Sequence, residues 1–349
     1  MATITILGAG MMGTAFAWPL VDRGHQVRLV GTHLDGAIID SIRAHGRHPK
    51  LDLEVPAGIS AYPLAELAAA MDGTEALVLG VSSAGVRWAG QQIAPFVGRG
   101  LPLAMVAKGC DWDGARLSVL PDVLVEAVGS AVKIEPVAVA GPCIAGELAR
   151  RVPTAVVFAA RSRAAAEAWA RLARGAYYHV WPTDELVGVE LCAALKNAFA
   201  MGMAIPAGEH ARGGGSAGSI GLHNTEAAIF AQSIFEMQRL IALVGGRPES
   251  ASFLPGVGDL DVTCNGGRTG RFGALLGRGL SPAEARAEMA GATLECLEIL
   301  AVLRAALEGY SSAGKLGSDE LPLLRHLAAI ALDGAAIDWP LSRFFGGSA

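Results

Sequence analysis

The chain has no CxxC pair. Its five cysteines, Cys110, Cys143, Cys192, Cys264 and Cys296, are scattered and odd in number. That excludes a zinc ribbon and a disulfide framework, and it points to reduced thiols in a cytoplasmic protein. There is no excess of positive charge either. Lys and Arg number 28 against 33 Asp and Glu, a formal net charge of -5, so the overall field does not attract nucleic acid or an anionic membrane surface. A small anionic substrate then needs a local basic site. The N-terminus lacks the basic start and unbroken apolar run of a secretory signal. Elsewhere the apolar stretches are interrupted by Gly, Pro or charge before membrane-spanning length, so no membrane insertion is expected. No internal repeat, low-complexity tail or metal-ligand spacing appears. His45 and His48 fall in an expected loop and read as solvated or cofactor-side, not as metal ligands.

What is present is ample apolar material: 52% hydrophobic and 17% charged residues over 349 positions, enough for two domains with packed cores. Thr3 to Leu7 is a β-branched run. Thr14 to Arg23 has helical composition and stops at Gly24, and Gln26 to Val30 is a second strand. Further strands are expected at 76–81, 103–106, 137–140 and 155–159, with helices over 84–97, 115–128 and 163–174 between them. Such alternation implies a mostly parallel sheet with helices on both faces. From about Asp184 the texture becomes Ala/Leu-rich at helical spacing over 185–204, 224–244, 281–308 and 319–333. The expected fold class is α/β plus all-α: a Rossmann-type doubly wound domain over 1–184, then an all-helical substrate and dimerisation domain over 185–349. Two Gly-rich stretches, 213–221 and 265–270, read as flexible connectors.

Gly8-Ala9-Gly10-Met11-Met12-Gly13 fits GxGxxG directly after a strand and at the opening of a helix. That context makes it a dinucleotide-binding turn. Gly8 permits the tight turn, Gly10 lets the backbone approach a pyrophosphate, Gly13 lets helix and strand pack closely, and Met11 and Met12 begin the helix whose free N–H groups face the phosphates. The cofactor is NAD or NADP. The second strand ends in Gly31-Thr32-His33, with His33 a cofactor-side residue. No acidic residue sits at the tip, Asp35 comes slightly late, and no arginine is placed for a 2′-phosphate. NAD is favoured.

Three further stretches carry a resemblance: Ala107-Lys108-Gly109, Ala194-Leu195-Lys196-Asn197, and Gly258-Asp259-Leu260 running on to Thr263-Cys264-Asn265-Gly266-Gly267-Arg268. With the N-terminal turn they resemble the NAD(P)-dependent sn-glycerol-3-phosphate dehydrogenases. Arg47 to Leu51, Gly141 to Glu147 and Leu321 to Leu323 resemble that family's segments in the same order. The resemblance implies hydride transfer between NAD(P)H and dihydroxyacetone phosphate, phospholipid-precursor metabolism, a small-molecule substrate and a cytoplasmic homodimer. It gives Lys196 the proton-transfer role, which suits a lysine whose crowded site lowers its pKa. Asp259 is implied to pair with Lys196. Lys108 is implied to serve catalysis and to contact both substrate and cofactor. Asn197, Thr263 and Arg268 are implied to bind substrate, with Arg268 and the Gly266-Gly267 backbone forming a phosphate nest. Glu295 aligns with a position near the cofactor ribose.

Asn224 to Ala228 resembles the family's NTKAA segment, but Glu226 stands at its lysine and Ala231 at a following arginine. Thr269 replaces an asparagine often found after the phosphate arginine. Arg212 lies in the preceding glycine-enriched stretch but does not match the family's position. These departures keep two other substrates open, another phosphorylated ketose or polyol and a non-phosphorylated 2-ketone; a non-catalytic NAD(H)-binding sensor is an alternative of another class, against which Lys108, Lys196, Asp259 and Arg268 together speak. The 6-phosphogluconate and 3-hydroxyacid dehydrogenases share the two-part layout, but they resemble this chain less over 258–268.

Overall fold

The structure is a computed structural model and describes residues 1–98, 100–129, 132–216 and 221–345. The strands are β1 Thr3–Leu7, β2 Gln26–Val30, β3 Arg47–His48, β4 Leu53–Glu54, β5 Ile59–Tyr62, β6 Ala76–Leu79, β7 Leu103–Met105, β8 Cys110–Trp112, β9 Leu117–Val119, β10 Pro136–Ala140, β11 Thr154–Ala159 and β12 Tyr178–Thr183. Eight of them form one sheet in the order β12-β11-β10-β7-β6-β1-β2-β5. Its pairings are parallel except β10 with β11, which run antiparallel. Successive strand residues point to opposite faces. Ile4, Ile6, Val78 and Ala104 therefore enter one core, while Leu7, Leu77, Leu79, Leu103 and Met105 enter the other. Both faces are covered, as a mostly parallel sheet requires. β1 pairs with both β2 and β6, so the chain direction around the sheet reverses there. Crevices at such switch points receive ligands in open α/β sheets.

The expected first helix occurs in two pieces, Met11–Ala15 and Ala17–Asp22. Pro19 has no N–H to donate back to Ala15, which explains the local interruption. β3, β4, β5, β8, β9 and β12 were not anticipated, and β9 takes the start of the helix expected over 115–128, which begins only at Leu120. All are short and are defined by the neighbours they pair with rather than by their own composition.

The chain divides into two compact units, Met1–Lys108 with Val119–Glu190, and Gly109–Ser118 with Leu191–Ala349. The division falls inside the helix Leu186–Arg212 and not at the 184/185 junction read from composition. Composition changes where the helix starts, whereas compactness follows what each turn packs against. Among the described residues, the only strand residues of the second unit are those of the β8–β9 hairpin. The Leu117 N–H donates to the Tyr310 hydroxyl at 2.9 Å, and the Trp112 and Tyr310 rings meet edge-on with centroids 5.1 Å apart.

The long helix Leu186–Arg212 continues beyond the expected end at 204. It is long and apolar enough to cross a membrane, contrary to the reading that every apolar stretch is interrupted in time, yet it is nearly all buried as a core helix. The expected helix 281–308 is two helices, Pro282–Glu288 and Glu295–Ser312. The 265–270 stretch is not a connector, because a helix runs over Gly267–Gly277. A Cβ on Gly273 would lie 2.1 Å from the Met201 carbonyl oxygen, and one on Gly277 2.1 Å from that of Ile205. These glycines let two helix backbones touch, a use that cannot be told from loop glycine in the sequence. Of the other stretch, residues 217–220 lie outside the described residues, and Gly213 to Gly215 close the long helix through N–H donations to Glu209, Ala211 and His210.

The backbone contact generates a stability prediction. Gly277→Val is expected to lower unfolding free energy by about 3 kcal/mol or more, because main-chain atoms cannot move aside as a side chain does. Denaturant unfolding of wild type and variant measures it, and Gly279→Ala, whose φ of +97° already disfavours a side chain, serves as a smaller-effect comparison.

Candidate active site

In the first unit, Gly8 follows β1 with φ +114°, a conformation open to glycine. A Cβ there would lie 2.6 Å from the Gly80 carbonyl carbon, and one on Gly13 would lie 2.4 Å from the Gly8 carbonyl oxygen. Gly8, Gly13 and Gly80 are thus packed backbone to backbone at the ends of β1 and β6. Gly10 differs: nothing comes closer than 4.0 Å to its Cβ position, which leaves space where a pyrophosphate would approach. Gly10 is also the N-cap of the helix at Met11 and makes no side-chain cap. The N–H groups of that turn are available to an anion. The residues present suit a dinucleotide.

The turn is braced by two side chains that the sequence did not assign. The Ala9 N–H donates to Asp35 Oδ2 at 3.1 Å, and the same oxygen accepts from the Thr32 N–H at 2.9 Å and the Thr32 hydroxyl at 2.8 Å. Asp35, read as too late to matter, therefore folds back to the strand tip, and that oxygen holds the protein's own backbone. On the other side of the same residue, His48 Nε2 lies 3.0 Å from the Ala9 carbonyl oxygen. Its Nδ1 accepts from the Leu51 N–H at 3.0 Å, which fixes Nε2 as the protonated nitrogen. His48 is fully buried, so it is a structural brace and not a solvated loop residue. The arrangement was not legible because Ala9 and His48 are 39 positions apart. His33 stands exposed past the end of β2, edge-on to Trp88 with ring centroids 5.2 Å apart. Met11 is exposed and Met12 packs against the core. Lys108 follows β7 at its carboxyl end and is half-buried.

In the second unit, Lys196 lies mid-way along the long helix among Cys192, Ala193, Leu195, Phe199 and Ala200, all buried. Its ammonium bonds Asp259 Oδ1, and the two side chains are 11% and 1% exposed. Asp259 opens the helix Asp259–Cys264 immediately after a π-turn over Leu254–Gly258. Such turns are uncommon and concentrate at functional sites. The Thr263 hydroxyl donates to the Asp259 carbonyl at 2.6 Å, leaving its lone pairs free to accept. Asn197 Nδ2 donates to Glu295 Oε2 at 3.2 Å, and Arg268 donates to Glu295 Oε1 at 3.2 Å. Arg268 sits in the first turn of Gly267–Gly277, after Gly266 and Gly267 at φ +140° and +84° with open space around both. Lys196 with Asp259, and Asn197 with Glu295 and Arg268, are thus brought together as two linked clusters. Glu226 pairs with His223 at 3.4 Å on an exposed first turn, and Arg212 pairs with Glu209 at 3.9 Å.

Residues 3–166 match the model of the NAD-dependent glycerol-3-phosphate dehydrogenase N-terminus, and residues 185–339 match that of its C-terminus. The chain belongs to the NAD-dependent glycerol-3-phosphate dehydrogenase family. Among the curated members of this dehydrogenase family it is 33% identical over 336 residues to the NADP(+)-dependent glycerol-3-phosphate dehydrogenase of Archaeoglobus fulgidus, covering 96% of each chain. It is 31% identical to the NAD(P)+ enzyme of Shouchella clausii over 96% of this chain and 93% of that one. The crystal structure of glycerol-3-phosphate dehydrogenase from Coxiella burnetii superposes with a TM-score of 0.81 at 28% identity, over 96% of this chain and 95% of that chain.

For this family member the brace on Ala9 predicts a cofactor effect. His48→Ala leaves the Ala9 carbonyl and Leu51 N–H unsatisfied, so NAD(P)H affinity is expected to fall about tenfold, roughly 1.4 kcal/mol, read by cofactor fluorescence titration. Burial also holds the His48 imidazole below its ordinary range. Folded His48 therefore stays neutral where the unfolded chain has already taken a proton, and its share of stability is lost as pH falls through about 6.5. The acid-side decline in melting temperature is expected to be shallower in His48→Gln.

Proposed function

We propose that the chain catalyses reversible reduction of dihydroxyacetone phosphate to sn-glycerol 3-phosphate. The observation that carries this reading is the buried Lys196–Asp259 pair. Bound NAD(P)H supplies the hydride. Lys196 gives a proton to the carbonyl oxygen of the ketone as negative charge develops there, and it receives one back in the oxidative direction. Asp259 fixes the ammonium and balances its charge, so a cation can exist in an apolar helix interior. Arg268 supplies a planar fork of donors for the substrate phosphate, with Asn197 and the Thr263 hydroxyl beside it. Glu295 holds Arg268 and Asn197 in place. The exposed Arg268–Glu295 pair, with side chains 54% and 46% exposed, is worth at most about 1 kcal/mol, so an incoming phosphate displaces it at small cost. Lys108 adds positive charge in the first unit.

At the strand tip one Asp35 oxygen is held by three donors, and the proposal is that NADPH is accepted as well as NADH. Cytoplasmic location and a homodimer belong to the same reading, supported by five free cysteines and by the frequency of symmetric dimers among soluble enzymes. One observation favours a second reading, a different ketose, polyol or neutral 2-ketone: Glu226 places a carboxylate where the family resemblance calls for a cation.

Two predictions test these readings. Lys196→Met is expected to abolish turnover, about 10²-fold or more, while cofactor affinity stays near wild type. It also strands the Asp259 charge, which costs about 3–5 kcal/mol. The double variant Lys196→Met with Asp259→Asn is expected to recover stability but not activity, and recovery of activity refutes the proton-transfer role. A panel of ketones with NADH and NADPH, run on wild type and Glu226→Lys, decides the substrate. The variant is expected to lower KM for dihydroxyacetone phosphate several-fold with kcat little changed, by a Coulomb contribution of order 1 kcal/mol. Better wild-type turnover of a neutral ketone would instead establish the second reading.

A further inference from the structure

The second unit contains a cavity of about 340 Å³, a size at the low end for small-molecule sites. Gly267, Arg268 and Arg271 line it from the helix Gly267–Gly277. Glu288, Met289 and Ala292 line it from the end of the helix Pro282–Glu288 and the segment that follows. Arg268 and Arg271 are three positions apart on one helix. They therefore share a face, with Cβ atoms roughly 5–6 Å apart.

The two guanidinium groups differ in what they already hold. Arg268 is paired with Glu295 at 3.2 Å. Arg271 has no ion pair among the described residues. Its one bond there donates to the Glu288 carbonyl oxygen at 3.5 Å, the long limit for a hydrogen bond. An anion in the cavity thus meets one cation it must share with an acid and one that no acid answers.

We propose that Arg271 is a second binding residue for a phosphate group, held in this cavity between the Arg268 and Arg271 guanidiniums. This rests on the reading that Arg268 serves a phosphate. Each guanidinium offers a planar fork that meets two phosphate oxygens. Arg268 gains little net charge interaction alone, because the phosphate takes the place of Glu295. Arg271 supplies the second cation. It does so in a chain where Glu226 and Ala231 stand at positions for which the family resemblance calls for basic residues. Glu288 is the one acid lining the cavity. It is exposed, so water and salt screen its opposition. Met289 and Ala292 give the cavity an apolar wall that suits a short carbon chain beside the phosphate. The phosphate belongs either to the substrate or to the dinucleotide, and the two are separated by kinetics.

The experiment uses the full chain, Arg271→Ala and Arg271→Lys. Melting temperature is followed as inorganic phosphate is added, since a ligand of the folded state raises it. Steady-state rates are measured with dihydroxyacetone phosphate, with unphosphorylated dihydroxyacetone, and with NADH and NADPH. Arg271→Ala is expected to weaken phosphate binding and raise KM for dihydroxyacetone phosphate about tenfold, with a smaller change in kcat. The preference for the phosphorylated over the unphosphorylated ketone is expected to fall by the same factor. Arg271→Lys, which keeps the charge without the fork, is expected to recover part of both. A rise in KM for NADH and NADPH in place of that for dihydroxyacetone phosphate also supports the assignment and makes the dinucleotide the source of the phosphate. A phosphate response in Arg271→Ala equal to that of wild type overturns the proposal. So does an equal loss on both ketones with cofactor KM unmoved. If no ketone is reduced, the substrate reading falls, and the phosphate titration still judges Arg271.

Discussion

A charge cannot be left alone inside an apolar helix, and Lys196 is where that constraint falls. Its own helix offers no counter-ion among the buried Cys192, Ala193, Leu195, Phe199 and Ala200. The partner has to come from another segment, and it has to arrive buried. Asp259 does so at the first residue of a helix that follows a π-turn. Separating such a pair exposes each group to the full desolvation penalty of the other's absence. The position of one loop is thereby tied to the position of one helix, and the residues flanking that loop, Thr263 and Arg268, are carried into place with it. Glycines at 208, 273 and 277 remove the last obstacle by letting two helix backbones meet.

The first unit solves a different problem with the same economy. A phosphate-binding turn must present free N–H groups, so the turn cannot stabilise itself by using them. Its rigidity comes from groups that the ligand does not need. Gly8, Gly13 and Gly80 interlock main chain to main chain, while Asp35 and His48 hold the N–H and C=O of Ala9 from opposite sides. The turn is thus shaped before any ligand is present, and ordering it takes little from the binding energy.

Charge in this protein is local. The net charge is negative, and the acids are as local as the cations: Asp259 pairs with Lys196, Glu295 with Arg268, and Glu190 is buried. The three acids differ in burial and in the hydrogen bonds they accept. Asp259 is a buried partner, Glu295 is a half-exposed one, and Glu190 is enclosed and without donors. Glu226 and its exposed histidine neighbour His223 stand apart from this pattern as a surface pair.

The sequence by itself determined the opening βαβ unit, because GxGxxG between two short apolar runs is a local code: each glycine answers a steric demand within a few residues. It also determined the helical character of the second half through spacing, and it singled out Lys196, Asp259, Asn197 and Arg268 as candidates through motifs whose order resembles a known family. Only the tertiary structure decided what those motifs do to one another. The bracing of Ala9 by His48, the helix–helix backbone contact in the helix that 265–270 opens, the packing of the 110–119 hairpin on Tyr310 and the enclosure of Glu190 all depend on residues tens of positions apart. Periodicity reports which face of an element is apolar, but a hydrogen bond or a close backbone approach depends on distance in space, and that is fixed only when the elements pack.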